Sequence, residues 1–232
     1  MFRFKQFTIS DEGCAMKVGT DGVLLGAWAD VADDGVVLDA CTGTGIIALM
    51  VAQRNAEASI YALDIVPEAV VEARGNADHS PWGDRVRTIC CDLKEYREDV
   101  RFDHIVCNPP YFVDALQATD VARNLARHTV SLDFESLVAA AERLLKDGGR
   151  FSVILPTEGA AHFRRVAFSR LWLRRVTDVV TTEGGAPKRT LMEFVRCAQP
   201  LMPRCDVLTI HHRGGDYTEE YRRLTQDFYL MF

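Results

Sequence analysis

The sequence predicts an α/β domain with a mostly parallel sheet and helices on both faces, on three observations. Short apolar runs at 36–39, 59–64, 86–90, 102–107 and 151–155 alternate with segments of helical apolar spacing, the order that builds parallel βαβ units. The first run passes through Ala40-Cys41-Thr42-Gly43-Thr44-Gly45 into a helical pattern at 46–54. Strand, glycine loop and helix are the opening unit of nucleotide-binding α/β folds. Four runs end on or beside Asp39, Asp64, Asp92 and Asn108, at the carboxyl ends of strands, where open α/β sheets bind ligands.

Each element has a local reason. Residues 1–35 read as a β-hairpin and a short helix before the first strand. In the glycine loop, Gly43 and Gly45 let the backbone approach a ligand closely. The third glycine of the dinucleotide fingerprint is absent, and no Lys-Ser/Thr pair follows, so the loop is not a P-loop. The strand at 59–64 ends in Asp64, and Pro67-Glu68 signals a helix start. A third strand at 86–90 leads into Cys91-Asp92-Leu93, and a fourth at 102–107 into Asn108-Pro109-Pro110-Tyr111. Residues 112–129 form a long polar stretch with a helix expected in its middle. Asp133 caps a helix expected at 134–145, which Asp147-Gly148-Gly149 ends. The fifth strand stops at Pro156, a helix follows at 158–171, and strands follow at 173–180 and 190–197. The tail from Pro200 adds a strand at 207–210 and an amphipathic helix around 217–228. Its Tyr217, Tyr221, Leu224 and Phe228 recur at helical spacing and read as packing.

The tetrapeptide at 108–111 is the most informative stretch. Two prolines fix φ and remove two backbone donors, so the turn is stiff and its carbonyls stay free to accept. A side-chain acceptor on Asn108, a carbonyl acceptor on Pro109 and the Tyr111 ring together suit a planar group bearing an exocyclic NH2. An ordinary proline turn after a strand is the plainer reading. Asp64 lies 19 positions after Gly45, where an acid accepts from ribose hydroxyls; it also suits a helix start, and both roles are compatible. Asp92, with Leu93 beside it, is balanced between an adenine amino contact and a turn.

In this order and spacing, the motifs resemble those of class I S-adenosylmethionine-dependent methyltransferases, over roughly positions 15 to 198. The resemblance implies a Rossmann-like, seven-stranded, mostly parallel sheet with an antiparallel closing strand pair. It implies cofactor contacts from Asp39, Gly43, Gly45, Asp64, Ile65, Asp92, Leu93 and Asn108. Cys14-Ala15-Met16-Lys17-Val18-Gly19-Thr20-Asp21-Gly22 is similar to a segment of the bacterial enzymes that methylate N6 of the adenine beside the anticodon of a valine tRNA. Ser80-Pro81-Trp82, Ala126-Arg127-His128 and Leu132-Asp133 are similar to the same group. There the N-terminal segment closes over the cofactor, which brings in Lys17, Thr20 and Asp21. Ala40-Cys41-Thr42 departs from that group's small or glycine residues, but both loop glycines remain. Residues 1–198 are expected to be the methyltransferase domain, with 1–35 as the covering segment and 199–232 as a strand-helix extension.

Composition is compatible with this reading. The 232 residues are 48% hydrophobic, with a mean hydropathy of −0.04, enough for one sizeable core. No run approaches the about 20 apolar residues of a membrane span, and no secretory leader is visible, so a cytoplasmic protein is expected. The seven cysteines are odd in number and lack Cys-x-x-Cys spacing. Free thiols and no metal site are therefore expected, and the His211-His212 pair reads as surface. The net charge of −6 is unevenly spread: residues 1–120 hold 10 basic and 20 acidic residues, and residues 121–232 hold 17 and 13. The basic half is a candidate nucleic-acid face. Lys188-Arg189, in a Gly-Gly-x-Pro loop, is a better candidate for phosphate contact than the arginines at 164–175.

The implied chemistry is methyl transfer to an exocyclic amine. Asn108 and the Pro109 carbonyl accept its N–H groups. Tyr111 stacks on a base turned out of an anticodon loop, next to Pro110, with Phe112 either extending the platform or sitting in the core. Arg127, His128, Lys188 and Arg189 are the further substrate candidates. Glutamine methylation of a release factor is the rival with the same tetrapeptide logic, but its enzymes carry an N-terminal helical domain. A non-catalytic RNA-binding or cofactor-sensing protein is the rival of another class.

Overall fold

The computed structural model describes residues 1–13, 17–97, 99–110 and 132–232. Tyr111, Phe112, Arg127, His128 and the expected helix within 112–129 lie outside the described residues.

The chain begins with a two-stranded antiparallel hairpin, β1 (Phe2–Arg3) and β2 (Thr8–Ile9), followed by helix α1 (Thr20–Trp28). The alternating unit is then β3 (Val36–Ala40), α2 (Ile46–Arg54), β4 (Ser59–Asp64), α3 (Pro67–Asp78), β5 (Val86–Cys90) and β6 (Phe102–Cys107). It continues through α4 (Phe134–Leu144), β7 (Leu145–Pro156) and α5 (Thr157–Ala167). The closing hairpin is β8 (Trp172–Thr182) and β9 (Pro187–Val195). The tail supplies β10 (Arg204–His211) and α6 (Glu219–Thr225).

Eight strands form one sheet in the order β10-β8-β9-β7-β6-β3-β4-β5. The seven expected strands are all present, with β9 antiparallel to both β7 and β8. The tail strand joins them as an eighth, parallel to β8 at the edge. The closing hairpin is longer than the apolar pattern indicates. Lys188 and Arg189 therefore sit in the first residues of β9, not in a loop, because Val179 pairs with Arg189 and Val180 with Pro187.

Side chains alternate between two cores, as the two-residue period of a strand requires. Val37, Val106 and Ile154 face α1 and α2, whereas Leu38, Ile105 and Val153 face α4 and α5. Burial on both faces explains why these strands read as continuous apolar runs. Helix α1 is buried from Gly22 to Trp28. It packs close to α2, where a Cβ on Gly26 would lie 2.8 Å from Met50 Sδ, so this position needs glycine. Trp28 pins the far end of α1 to the sheet. Its Nε1 donates to Thr177 Oγ1 at 3.0 Å, and Arg175 Cζ lies 3.6 Å from its ring centre.

Below Trp28, the polar residues of β6 to β9 meet one another. His104 Nε2 and Ser152 Oγ are 2.8 Å apart, Ser152 Oγ donates to Glu193 Oε2 at 3.4 Å, and Arg174 donates to Glu193 Oε1. Arg174 and Arg175 thus serve an internal network. Of the arginines at 164–175, weaker candidates for phosphate contact than Lys188 and Arg189, these two are tied to the buried Glu193.

Candidate active site

The register of the sheet brings Asp39, Asp64, Cys90 and Cys107 to one edge, where β3, β4, β5 and β6 end side by side. The loops that follow carry Gly43, Ile65, Asp92 and Asn108, so most of the residues singled out in the sequence converge.

Asp39 is fully buried on β3. Its Oδ2 accepts from Thr42 Oγ1 at 2.6 Å and from Ala48 N at 3.0 Å, which fixes the glycine loop to the start of α2. Its Oδ1 has no partner among the described residues. Burial, with a smaller push from Asp64, raises the carboxyl to about 7 against the two hydrogen bonds. The loop needs positive φ at Cys41 (61°), Gly43 (54°) and Gly45 (81°). A Cβ on Gly43 would meet open space, whereas one on Gly45 would lie 3.3 Å from Ala73 Cβ.

Asp64 ties two loops together. Its Oδ2 accepts from Gly43 N at 2.9 Å and its Oδ1 from Val66 N at 3.0 Å. The carboxylate therefore stabilises the turn into α3, while the helix itself starts on Val66 without a side-chain cap. Ile65 is largely exposed beside it, at 42%. Asp92 Oδ1 accepts from Lys94 N at 2.9 Å, and Lys94 Nζ lies 3.5 Å from Oδ2. The neighbouring Leu93 is buried with Tyr96 and Phe102. Asn108 is half-buried, Pro109 buried and Pro110 exposed.

The N-terminal segment reaches the same edge. Lys17 Nζ donates to Asp11 O. Thr20 and Asp21 open α1, and Asp21 Oδ2 accepts from Arg189 Nε at 2.7 Å. Asn76 was not singled out in the sequence. It is buried in α3, accepts from Ser10 N at 2.8 Å, and donates to Ser10 O and Thr44 O at 2.9 Å each. It thereby holds the N-terminal segment against the glycine loop. An amide on the buried face of an otherwise alanine-rich helix is the signal that could have found it.

The open space over Gly43, with the Asp64 carboxylate beside it and the orphaned Asp39 oxygen beneath the loop, makes a cradle for a ligand bearing amino and hydroxyl groups. S-adenosylmethionine has both, so the residues present fit it.

Comparison with known proteins agrees. Residues 18–164 match the family model of the methyltransferase small domain. A curated relative from Phocaeicola vulgatus, named tRNA1(Val) (adenine(37)-N6)-methyltransferase, is 48% identical over 230 residues, covering 99% of this chain and 97% of its own. The chain belongs to this methyltransferase family. A relative of the same name from Trichodesmium erythraeum is 43% identical over 236 residues, covering 100% and 98% of the two chains. Among solved structures, a predicted O-methyltransferase from Agrobacterium tumefaciens superposes with a TM-score of 0.73 at 20% identity, over 90% of this chain and 96% of its own. That likeness places the methyltransferase fold alone. No helix among the described residues is long and apolar enough to cross a membrane, and they hold no group of three metal-ligating side chains.

Proposed function

We propose that this protein transfers a methyl group from S-adenosylmethionine to N6 of adenine 37 in a valine tRNA, in the cytoplasm. The full-length similarity to relatives of that name is the observation that carries the reading, and the convergence of Asp39, Gly43, Asp64 and Asn108 supports it. Residues 1–198 form the methyltransferase domain in this reading, and 199–232 an extension to it.

Bound S-adenosylmethionine supplies an electrophilic methyl group on its sulfonium. The chain's own residues orient the acceptor. Asn108 Oδ1 and the Pro109 carbonyl accept the two amine N–H bonds, which localises electron density on nitrogen and aims it. Asp39 and the glycine loop hold the amino-acid end of the cofactor, and Asp64 the ribose. Asp92 and Leu93 flank the adenine. Tyr111 stacks on the extruded base, and a single-stranded loop lowers the cost of extrusion. The amine becomes strongly acidic only as the C–N bond forms, so no strong base is needed.

The test is transfer of labelled methyl to total small RNA by wild type and Asn108→Ala, followed by nucleoside analysis. Label in N6-methyladenosine of a valine tRNA, lost in the variant, is expected. Label in protein but not RNA would overturn the reading and favour glutamine methylation.

A further inference from the structure

A cavity of about 430 Å³ opens between the N-terminus, α1, the closing hairpin and the tail, within the size range of small-ligand sites. Its lining has two chemistries. Leu24, Val179 and Ile210 are apolar and belong to the core, and aromatic rings stand over them. Tyr217 stacks on Tyr221 at 5.3 Å and 16°, and the His211 ring is centred 4.5 Å from Tyr217. Tyr221 is buried, whereas Tyr217, Tyr229 and His211 are half-buried. At the rim stand Lys188 and Arg189. Arg189 is engaged with Asp21. Lys188 is exposed, and no carboxylate among the described residues pairs with it.

The register fixes where this cavity lies relative to Asn108. Pro156, at the end of β7, pairs with Arg189. Arg189 pairs with Val179, and Thr182 with His211. The cavity therefore opens on the same edge of the sheet as the candidate active site. It starts two strands beyond β6 and reaches four strands beyond, at roughly 10 to 19 Å for a strand spacing near 4.8 Å. At about 3.4 Å per stacked nucleotide, that separation spans roughly three to six nucleotides of one strand.

An aromatic slot over an apolar floor, with a cation at its mouth, is the pairing used to hold unpaired bases and their phosphates. We propose that this tail-built cavity is a second nucleotide site, in which the His211 ring, backed by Tyr217, stacks on an unpaired base roughly three to six nucleotides from the target and Lys188 contacts its phosphate. The inference rests on the tRNA reading above and gives residues 204–232 a direct part in substrate binding.

The test is steady-state methylation of an anticodon stem-loop by wild type, Lys188→Ala, Tyr217→Ala and Tyr217→Phe, with S-adenosylmethionine affinity measured calorimetrically as a check of folding. Lys188→Ala and Tyr217→Ala are expected to raise KM for the RNA about tenfold, with cofactor affinity within about twofold of wild type. Tyr217→Phe keeps the ring and should retain the wild-type KM. A wild type that methylates the RNA while Lys188→Ala and Tyr217→Ala leave its KM unchanged overturns the second site alone. If Tyr217→Ala loses cofactor binding, the exposed Lys188→Ala decides by the same criterion. A wild type that leaves the RNA unmethylated overturns the proposed function and this inference with it.

Discussion

Arg189 Nε donates to Asp21 Oδ2 at 2.7 Å, joining the start of β9 to the first turn of α1 across 168 positions of chain. The two residues were singled out for different reasons, one as a cofactor contact and the other as a phosphate contact. Their pairing ties the N-terminal segment proposed to cover the cofactor to the strand end proposed to meet the substrate. Both side chains are partly exposed, at 36% and 22%, so the pair contributes at most about 1 kcal/mol to stability. Its larger effect is to hold the start of α1. Asp21→Ala and Arg189→Ala should each weaken S-adenosylmethionine binding severalfold while barely moving the melting temperature. The double variant should be no worse than the worse single. Additive losses in calorimetry would show that the two residues act separately.

Gly43 and Gly45 share a left-handed backbone but differ in surroundings. Alanine in that conformation costs about 1–2 kcal/mol at either position. On Gly43 the methyl group enters open space over the loop, where a ligand would lie. On Gly45 it also presses on Ala73 at 3.3 Å. Gly45→Ala should therefore lower the melting temperature more than Gly43→Ala, for which a loss of about 2–8 °C is expected. Gly43→Ala should weaken cofactor affinity more than Gly45→Ala relative to its stability loss. Melting curves with and without S-adenosylhomocysteine check both orders, and a reversed order would contradict this account of the loop.

Glu193 is fully buried between Ser152 and the guanidinium groups of Arg174 and Arg175. Removing the carboxylate leaves Arg175 uncompensated beneath Trp28. Glu193→Ala should cost about 3 kcal/mol, near 6–12 °C of melting temperature for a chain of this length. Glu193→Gln keeps an acceptor for Arg174 and should cost less. Equal losses in the two variants would mean that shape, and not charge, holds this junction.

The parallel half of the fold was legible because β3, β4, β6 and β7 are buried on both faces, and their apolar runs stop where Asp39, Asp64 and Asn108 begin. The Asp133 cap was equally plain: its carboxylate accepts from Ser136 N at 2.6 Å. What stayed hidden depends on partners distant in sequence. Nothing near Arg175 reveals that Trp28 lies across its guanidinium, 147 positions away. Asn76 looks like any helical amide until Ser10 and Thr44 are placed against it. The hairpin ends at 182 and 187 were misjudged because exposed β-strand residues carry no apolar alternation.

Asp39 and His104 should hide each other in the pH dependence of stability. Burial raises Asp39 from 3.8 to about 7, so between those values the folded state keeps a proton that the unfolded state has lost. Its contribution makes stability fall as pH rises through that window. Burial, then the charge of Arg150, lowers His104 from 6.5 to about 3. The unfolded state there binds a proton that the folded state lacks, so the His104 contribution makes stability rise with pH. Between about pH 4 and 6.5 the two slopes oppose, each bounded by about 1.4 kcal/mol per pH unit. Asp39→Asn should therefore gain stability relative to wild type as pH rises across this window, and His104→Asn should lose it. Urea midpoints at several pH values from 4 to 8 read both differences, and the remaining carboxylates cancel because each variant is compared with wild type. A difference between Asp39→Asn and wild type that does not change with pH would mean that Asp39 ionises alike folded and unfolded. The orphaned Asp39 oxygen beneath the glycine loop would then belong to a carboxylate already charged before any ligand arrives.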